Sequence, residues 1–111
     1  MERTKIKEIE DMLIDYQRIK SIIANEKDIQ ELKKMLPSFK RFVQNVFTKK
    51  MTETEVSIIN SNLTQASRII INTENKDTVR KFYYKVIEHA EKVCIKLIQI
   101  EKKKIAVGIG I

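Results

Sequence analysis

Between Asp77 and Ile105 the apolar residues Val79, Tyr83, Val86, Ala90, Val93, Leu97 and Ile100 alternate steps of four and three. That spacing marks one face of a helix; a strand, with its period of two, does not produce it. Phe82, Ile87, Cys94, Ile98 and Ile105 widen the seam on both sides, and neither Gly nor Pro interrupts it. At 1.5 Å per residue such a helix is about 40 Å long. A stripe this long and broad needs other helices against it. The expected fold is therefore all-α, about five helices in a bundle around a long C-terminal helix.

The composition agrees. Two Gly and one Pro in 111 residues leave few turns, so the connections are short. The length suits a single domain with a moderate core and little room for an internal active-site cavity. The net charge of +7 favours an acidic partner, whether nucleic acid, an anionic membrane surface or an acidic protein. AT-rich codon usage also adds Lys without functional meaning, and both readings stand. Cys94, the only cysteine, forms no internal disulfide and behaves as a small hydrophobe, which points to a cytoplasmic protein. The charged N-terminus lacks an apolar segment behind it, and no run approaches the ~20 residues that span a bilayer. No membrane association is expected.

A first helix is read from Glu2 to Ala24, with Ile6, Ile9, Leu13, Tyr16, Ile19 and Ile23 inward and Met12 and Ile22 beside them. Its acids and bases alternate on the other face, as on a solvated surface. Asn25 reads as the N-cap of a short helix, Glu26 to Met35, with Asp28 at its third position. Pro37 ends it and equally suits the first turn of a third helix, Ser38 to Thr48. Phe39, Phe42, Val43, Val46 and Phe47 there read as core packing, with an exposed protein-binding patch as the alternative. Lys49-Lys50-Met51 connects to a capping box, Thr52-Glu53-Thr54-Glu55, which opens a fourth helix reaching Asn72. Val56, Ile59, Leu63, Ala66 and Ile70 form its apolar row. Its polar face, with Asn60, Ser61, Asn62, Gln65 and Ser67, is unusually free of charge and suits a protein interface. Residues 1–107 form the helical domain. The remaining four, 108–111, belong to an apolar, glycine-bearing tail with three destinations open to it: the bundle, a linker to a further domain, or a neighbour's sheet.

The residues do not assemble into a catalytic set. His89 is the only histidine and has no ligand at metal spacing on its own helix face. Cys94 lies five residues from it and faces elsewhere. Both glycines are in the tail, so no phosphate loop exists. No enzyme, metal or cofactor is expected. Basic groups occur at Lys33-Lys34, Lys40-Arg41, Lys49-Lys50 and Lys102-Lys103-Lys104. Lys40, Arg41, Lys49 and Lys50 suit one phosphate-contacting patch around the third helix, as in a small nucleic-acid-binding regulator of viral or plasmid type. Lys102 and Lys103 also suit the C-terminal end of a helix dipole.

Two stretches resemble a known family. Leu32 to Val43 (LKKMLPSFKRFV) is similar to the entry to the third helix in GINS replication-complex subunits. Ala90 to Ile105 (AEKVCIKLIQIEKKKI) resembles the long helix that closes the GINS helical A-domain, with Glu101 where that family usually carries an arginine. The order of long, short, Phe-bearing, long and long helices also fits. The resemblance implies a non-enzymatic scaffold subunit of archaeal type in an oligomer. Its partners would be a sister subunit, the MCM helicase and a RecJ-like or polymerase partner, with direct DNA contact also open. On that reading the contact residues are Asn60, Ser61, Gln65, Ser67, Lys102 and Lys103.

Overall fold

The computed structural model describes residues 2–44 and 52–110, with side chains at 5–44 and 52–106. The chain is all-α: α1 (Glu2–Asn25), α2 (Ile29–Lys34), α3 (Leu36–Phe42), α4 (Glu53–Asn72) and α5 (Lys76–Gly110). No strand occurs among the described residues. Only Met35 separates α2 from α3, so the two make one interrupted segment. Four helical bodies result, where about five helices were expected. Pro37 causes the interruption: it has no N–H to give the Lys33 carbonyl, and the Met35 N–H takes that carbonyl instead. The ladder resumes where Phe39 N–H donates to the Met35 carbonyl at 2.9 Å.

The helix starts follow local chemistry. Thr52 Oγ1 accepts from Glu55 N–H at 3.3 Å, the first half of the expected capping box, while Glu55 Oε1 accepts from the Thr52 hydroxyl at 3.1 Å. Asn75 Oδ1 accepts from Thr78 N–H at 3.1 Å and opens α5. The start of α2 differs from expectation. Asn25 is still helical, and the cap is Asp28, whose Oδ1 accepts from Gln30 N–H at 2.8 Å. The α1 ladder carries on as far as Glu26 N–H, which donates to the Ile22 carbonyl at 3.0 Å, so Asn25 is not free to start a helix. α5 continues to Gly110, five residues beyond the Ile105 where its apolar pattern stops. Within the expected third helix, Phe39 and Val43 are buried and Phe42 is half-buried. Val46, Phe47, Thr48 and the connector Lys49 to Met51 lie outside the described residues.

α5 is the hub. α1 and α4 both pack on it, as does α2, and α2 also meets α3. Lys5 on α1 lies beside Glu101 on α5, and Arg80 on α5 reaches the last turn of α1, so these two helices run antiparallel. α4 returns into α5 through a three-residue turn, 73–75, and is antiparallel to it as well. The molecule is a flat rod of 57 × 27 × 18 Å with α5 along its length.

The buried face of α5 turns along the helix. Val79, Val86 and Val93 are buried, but Ile100, the next member of that seven-residue row, is 39% exposed. The neighbouring row runs Arg80, Ile87, Cys94, Glu101, and its last member is only 5% exposed. A straight helix drifts about 20° per seven residues. Over the three heptads from Val79 to Ile100 the drift is about 60°, which carries Ile100 out and Glu101 in.

Two interactions lock the bundle. The Tyr83 hydroxyl, fully buried, donates to the Leu32 carbonyl at 2.6 Å and ties α5 to α2. Phe39 stands edge-on to the Tyr83 ring at 5.0 Å, and Tyr16 and Phe42 repeat that geometry at 5.2 Å. The helix ends provide the second. Neither α1 nor α4 has a basic residue in its last turn. Arg80 Nε donates to the Ile23 carbonyl at 3.2 Å, its Nη2 donates to the Glu26 carbonyl, and Lys76 donates to the Lys27 carbonyl at 2.6 Å. Lys33 does the same for α4 at the Ile71 carbonyl, 3.3 Å away. Cations from other elements thus serve two helix ends that have none of their own. Tyr83→Phe keeps the ring packing and removes only the hydroxyl; it is expected to cost about 1 kcal/mol in urea unfolding. A change near zero would show that this bond does not hold α2 in place.

Candidate polyanion-binding face

α5 carries nine Lys and Arg against four Asp and Glu, most of the chain's surplus charge on one element. Two of its four acids are used inside the bundle and a third pairs along the helix. Glu91 pairs with Lys20 of α1 at 3.0 Å, and Asp77 pairs with Arg80 at 3.6 Å. Glu101 is held between Lys5 at 3.4 Å and Lys104 at 3.3 Å. Burial pushes the Glu101 carboxyl up, but the hydrogen bonds and charges of Lys104 and Lys5 outweigh it and leave its pKa below the ordinary 4.5. Only Glu88 faces outward without a basic partner among the described residues.

The outward side of α5 is therefore a row of lysines. Lys81, Lys85, Lys92, Lys96 and Lys103 are all exposed, and Glu88 and Gln99 fill the remaining places in the row. At 3.6 residues per turn the five lysines share a sector of about 60°, opposite the buried seam, and span about 33 Å along the axis. None of the five forms an ion pair with another described residue. Lys85 Nζ lies 5.8 Å from the Phe82 ring centre, a cation–π approach. Two shallow hollows follow the row. One, of about 540 Å³, lies between Asp77, Arg80, Lys81, Tyr84, Lys85 and Glu88; the other, of about 460 Å³, lies between Lys96, Gln99, Ile100, Lys102 and Lys103.

Such a row works against the stability of the helix. Like charges four residues apart, Lys81 with Lys85 and Lys92 with Lys96, destabilise by about 0.2–0.5 kcal/mol each. α1 mixes signs on its outer face, where Lys7, Glu8, Glu10, Asp11 and Arg18 are all exposed. α4 has no lysine at all. A codon bias alone would spread lysine over every helix.

The expected site residues are distributed differently. Lys102 and Lys103 are exposed, and Lys103 belongs to the row while Lys102 borders it. On α4, Ser61 and Gln65 are exposed and Asn60 is half-buried. Ser67 is buried and its hydroxyl donates to the Leu63 carbonyl at 2.7 Å, so it is not part of an outward face. Arg41 is exposed and Lys40 half-exposed on α3; Lys49 and Lys50 lie outside the described residues. The patch on the third helix thus reduces to Lys40 and Arg41 among the described residues. The lysine row was missed because neighbouring basic pairs were weighed, and residues i and i+1 do not face the same way on a helix. Applying the 3.6 period to charge as well as to apolar residues finds it.

Other candidate chemistry is absent from this surface. Burial, with a smaller contribution from Glu91, pushes the Cys94 thiol up to about 12. Among the described residues no group of His, Cys, Asp and Glu is arranged to hold a metal ion. An apolar hollow of about 490 Å³ lies between Ile19, Met35, Phe39 and Phe42, and the charged residues on its rim, Glu31 and Lys34, pair with each other at 3.1 Å. No described helix is long and apolar enough to cross a membrane. The chain matches no family model, no curated protein and no solved structure.

The inward acid gives a pH signature. The folded carboxyl of Glu101 titrates below its unfolded counterpart, so its contribution is complete above about pH 4.5 and is lost as pH falls through the lowered value. Glu101→Gln is expected to flatten the dependence of thermal stability on pH in that acid window while leaving its shape near neutrality unchanged. An unaltered acid limb would mean that the Lys5–Glu101–Lys104 cluster does not form in solution.

Proposed function

We propose that this chain is a non-enzymatic binding module that docks on a polyanion through the outward face of α5. The observation that carries the reading is the row itself: five exposed lysines on one sector of one helix against a single exposed acid there, Glu88, with Glu91 and Glu101 drawn into pairs with α1. A face that served only solubility would interleave both signs, as α1 does. Lysine is a phosphate binder that acts as a point charge and tolerates varied geometry. The reading has the same partner chemistry as a nucleic-acid-binding regulator, with α5 in place of the patch on the third helix.

Retention on immobilised heparin tests it. Lys81→Gln, Lys92→Gln and Lys103→Gln combined are expected to lower the eluting salt concentration markedly. Lys7→Gln and Lys27→Gln, exposed but off the row, are expected to change it little. Equal effects per lysine removed would reduce the row to net charge alone and remove the reading.

A second reading is a scaffold subunit of a GINS-like replication complex. It is favoured by α4, where Ile58 and Ile71 are exposed and the exposed charges are only Glu53 and Arg68. On this reading Ser61 and Gln65 lie at the contact, and the partner is a sister subunit or an MCM-type helicase. Light scattering on the mixed components should show a complex that Ile58→Lys disrupts; no complex with either partner would remove it.

A further inference from the structure

Resting on the polyanion reading, we infer that the ligand is duplex nucleic acid, gripped through its phosphate backbone by α5 lying along it, with no base readout. The composition of the face carries this. It has no exposed aromatic side chain: Phe82, Tyr84 and His89, the aromatic residues nearest the row, are all half-buried. Single strands are held by stacking bases on such side chains, and the rings beside this face, Tyr84 at a hollow and Phe82 under Lys85, are only partly open to a base. It also has no free arginine. Arg80, the one Arg of α5, donates to the Ile23 and Glu26 carbonyls of α1. Bidentate arginine is the commonest reader of a base edge, and a single amide, Gln99, does not make a recognition surface. What remains is five lysines with one acid, Glu88, among them, and lysine positions a protein on phosphates without specifying sequence.

Length and shape favour a duplex over other polyanions. The row of about 33 Å matches one helical turn of duplex, roughly 34–36 Å. Over that distance the duplex presents one charge per ~1.7 Å of axis, ample for five lysines at once. An anionic membrane is the less suited partner. Interfacial helices insert a continuous apolar face; the main apolar face of α5 is buried against α1 and α4, and the exposed Ile95 and Ile100 stand apart on opposite flanks of the row.

Binding titrations with the full chain decide the matter. Fluorescence anisotropy would compare a labelled DNA duplex of about two turns, roughly 20 base pairs, with its separated single strand and a duplex of scrambled sequence. Sedimentation with phosphatidylserine-containing vesicles supplies the lipid arm. The duplex is expected to bind tightest, scrambling to change affinity less than threefold, and the vesicles to bind weakly. If all five lysines contact phosphate, the slope of log affinity against log salt is about −4.5, a several-hundred-fold loss between about 50 and 200 mM salt. Lys81→Gln with Lys92→Gln should reduce that slope by about 2, whereas Lys7→Gln with Lys27→Gln should leave it unchanged. Circular dichroism and melting temperature show whether each variant is folded; if the row variant is not, Lys96→Gln alone serves, with a slope change of about 1. A single strand or vesicle bound more tightly than duplex overturns the duplex assignment but leaves the polyanion reading intact. A strong sequence preference overturns backbone-only recognition. Failure of every polyanion to bind overturns both.

Discussion

In a folded protein most of a helix's stability comes from packing one face, and the 35-residue α5 buries one side against α1, α2 and α4. Those packings account for nearly all of the tertiary structure. Tyr83 lies at the centre of them, with its ring against Phe39 and its hydroxyl on the Leu32 carbonyl. A buried phenol without a partner would be costly, so this bond also fixes where the interrupted α2–α3 segment sits along α5.

The same organisation determines where charge goes. Because α1 lies antiparallel on α5, its lysines meet the acids of α5 at two levels, Lys20 with Glu91 and Lys5 with Glu101. Because α1 ends beside the start of α5, Arg80 is consumed as a cap for carbonyls that α1 cannot satisfy itself. Each of these contacts removes a negative or a versatile positive group from the outer face of α5. The lysine row, with Glu88 still in it, is what remains after the bundle has used Glu91, Glu101 and Arg80. The sequence-independent grip on phosphate proposed for this face would therefore be a consequence of the packing as well as of the number of lysines.

Much of the fold was legible in the chain because its signals are local. The capping box at Thr52 and Glu55 works within one turn, and the apolar rows of α1, α4 and α5 needed only the helical period. The misreadings arose where distant groups decide. Asn25 had the chemistry of a cap, but the ladder of α1 ran past it and Asp28 capped α2 instead. Ser67 had the look of an outward polar residue, but its hydroxyl satisfied itself on the Leu63 carbonyl one turn back and it sank into the packing. Ile100 continued a strict heptad, and a straight α-helix does not keep a strict heptad in register.

Local patterns in the chain are enough to make it helical, to make its last helix the longest and to make the molecule rich in lysine. Periodicity and composition suffice for that, since helix formation is governed by neighbours three and four residues away. Only the tertiary structure decided which charges are internal. Glu101 is a surface-looking residue in a lysine-rich stretch until Lys5, almost the whole chain away, comes to rest beside it. Coulomb interactions act through space and are blind to sequence separation. The outward face of α5 was therefore set by the packing of the other helices.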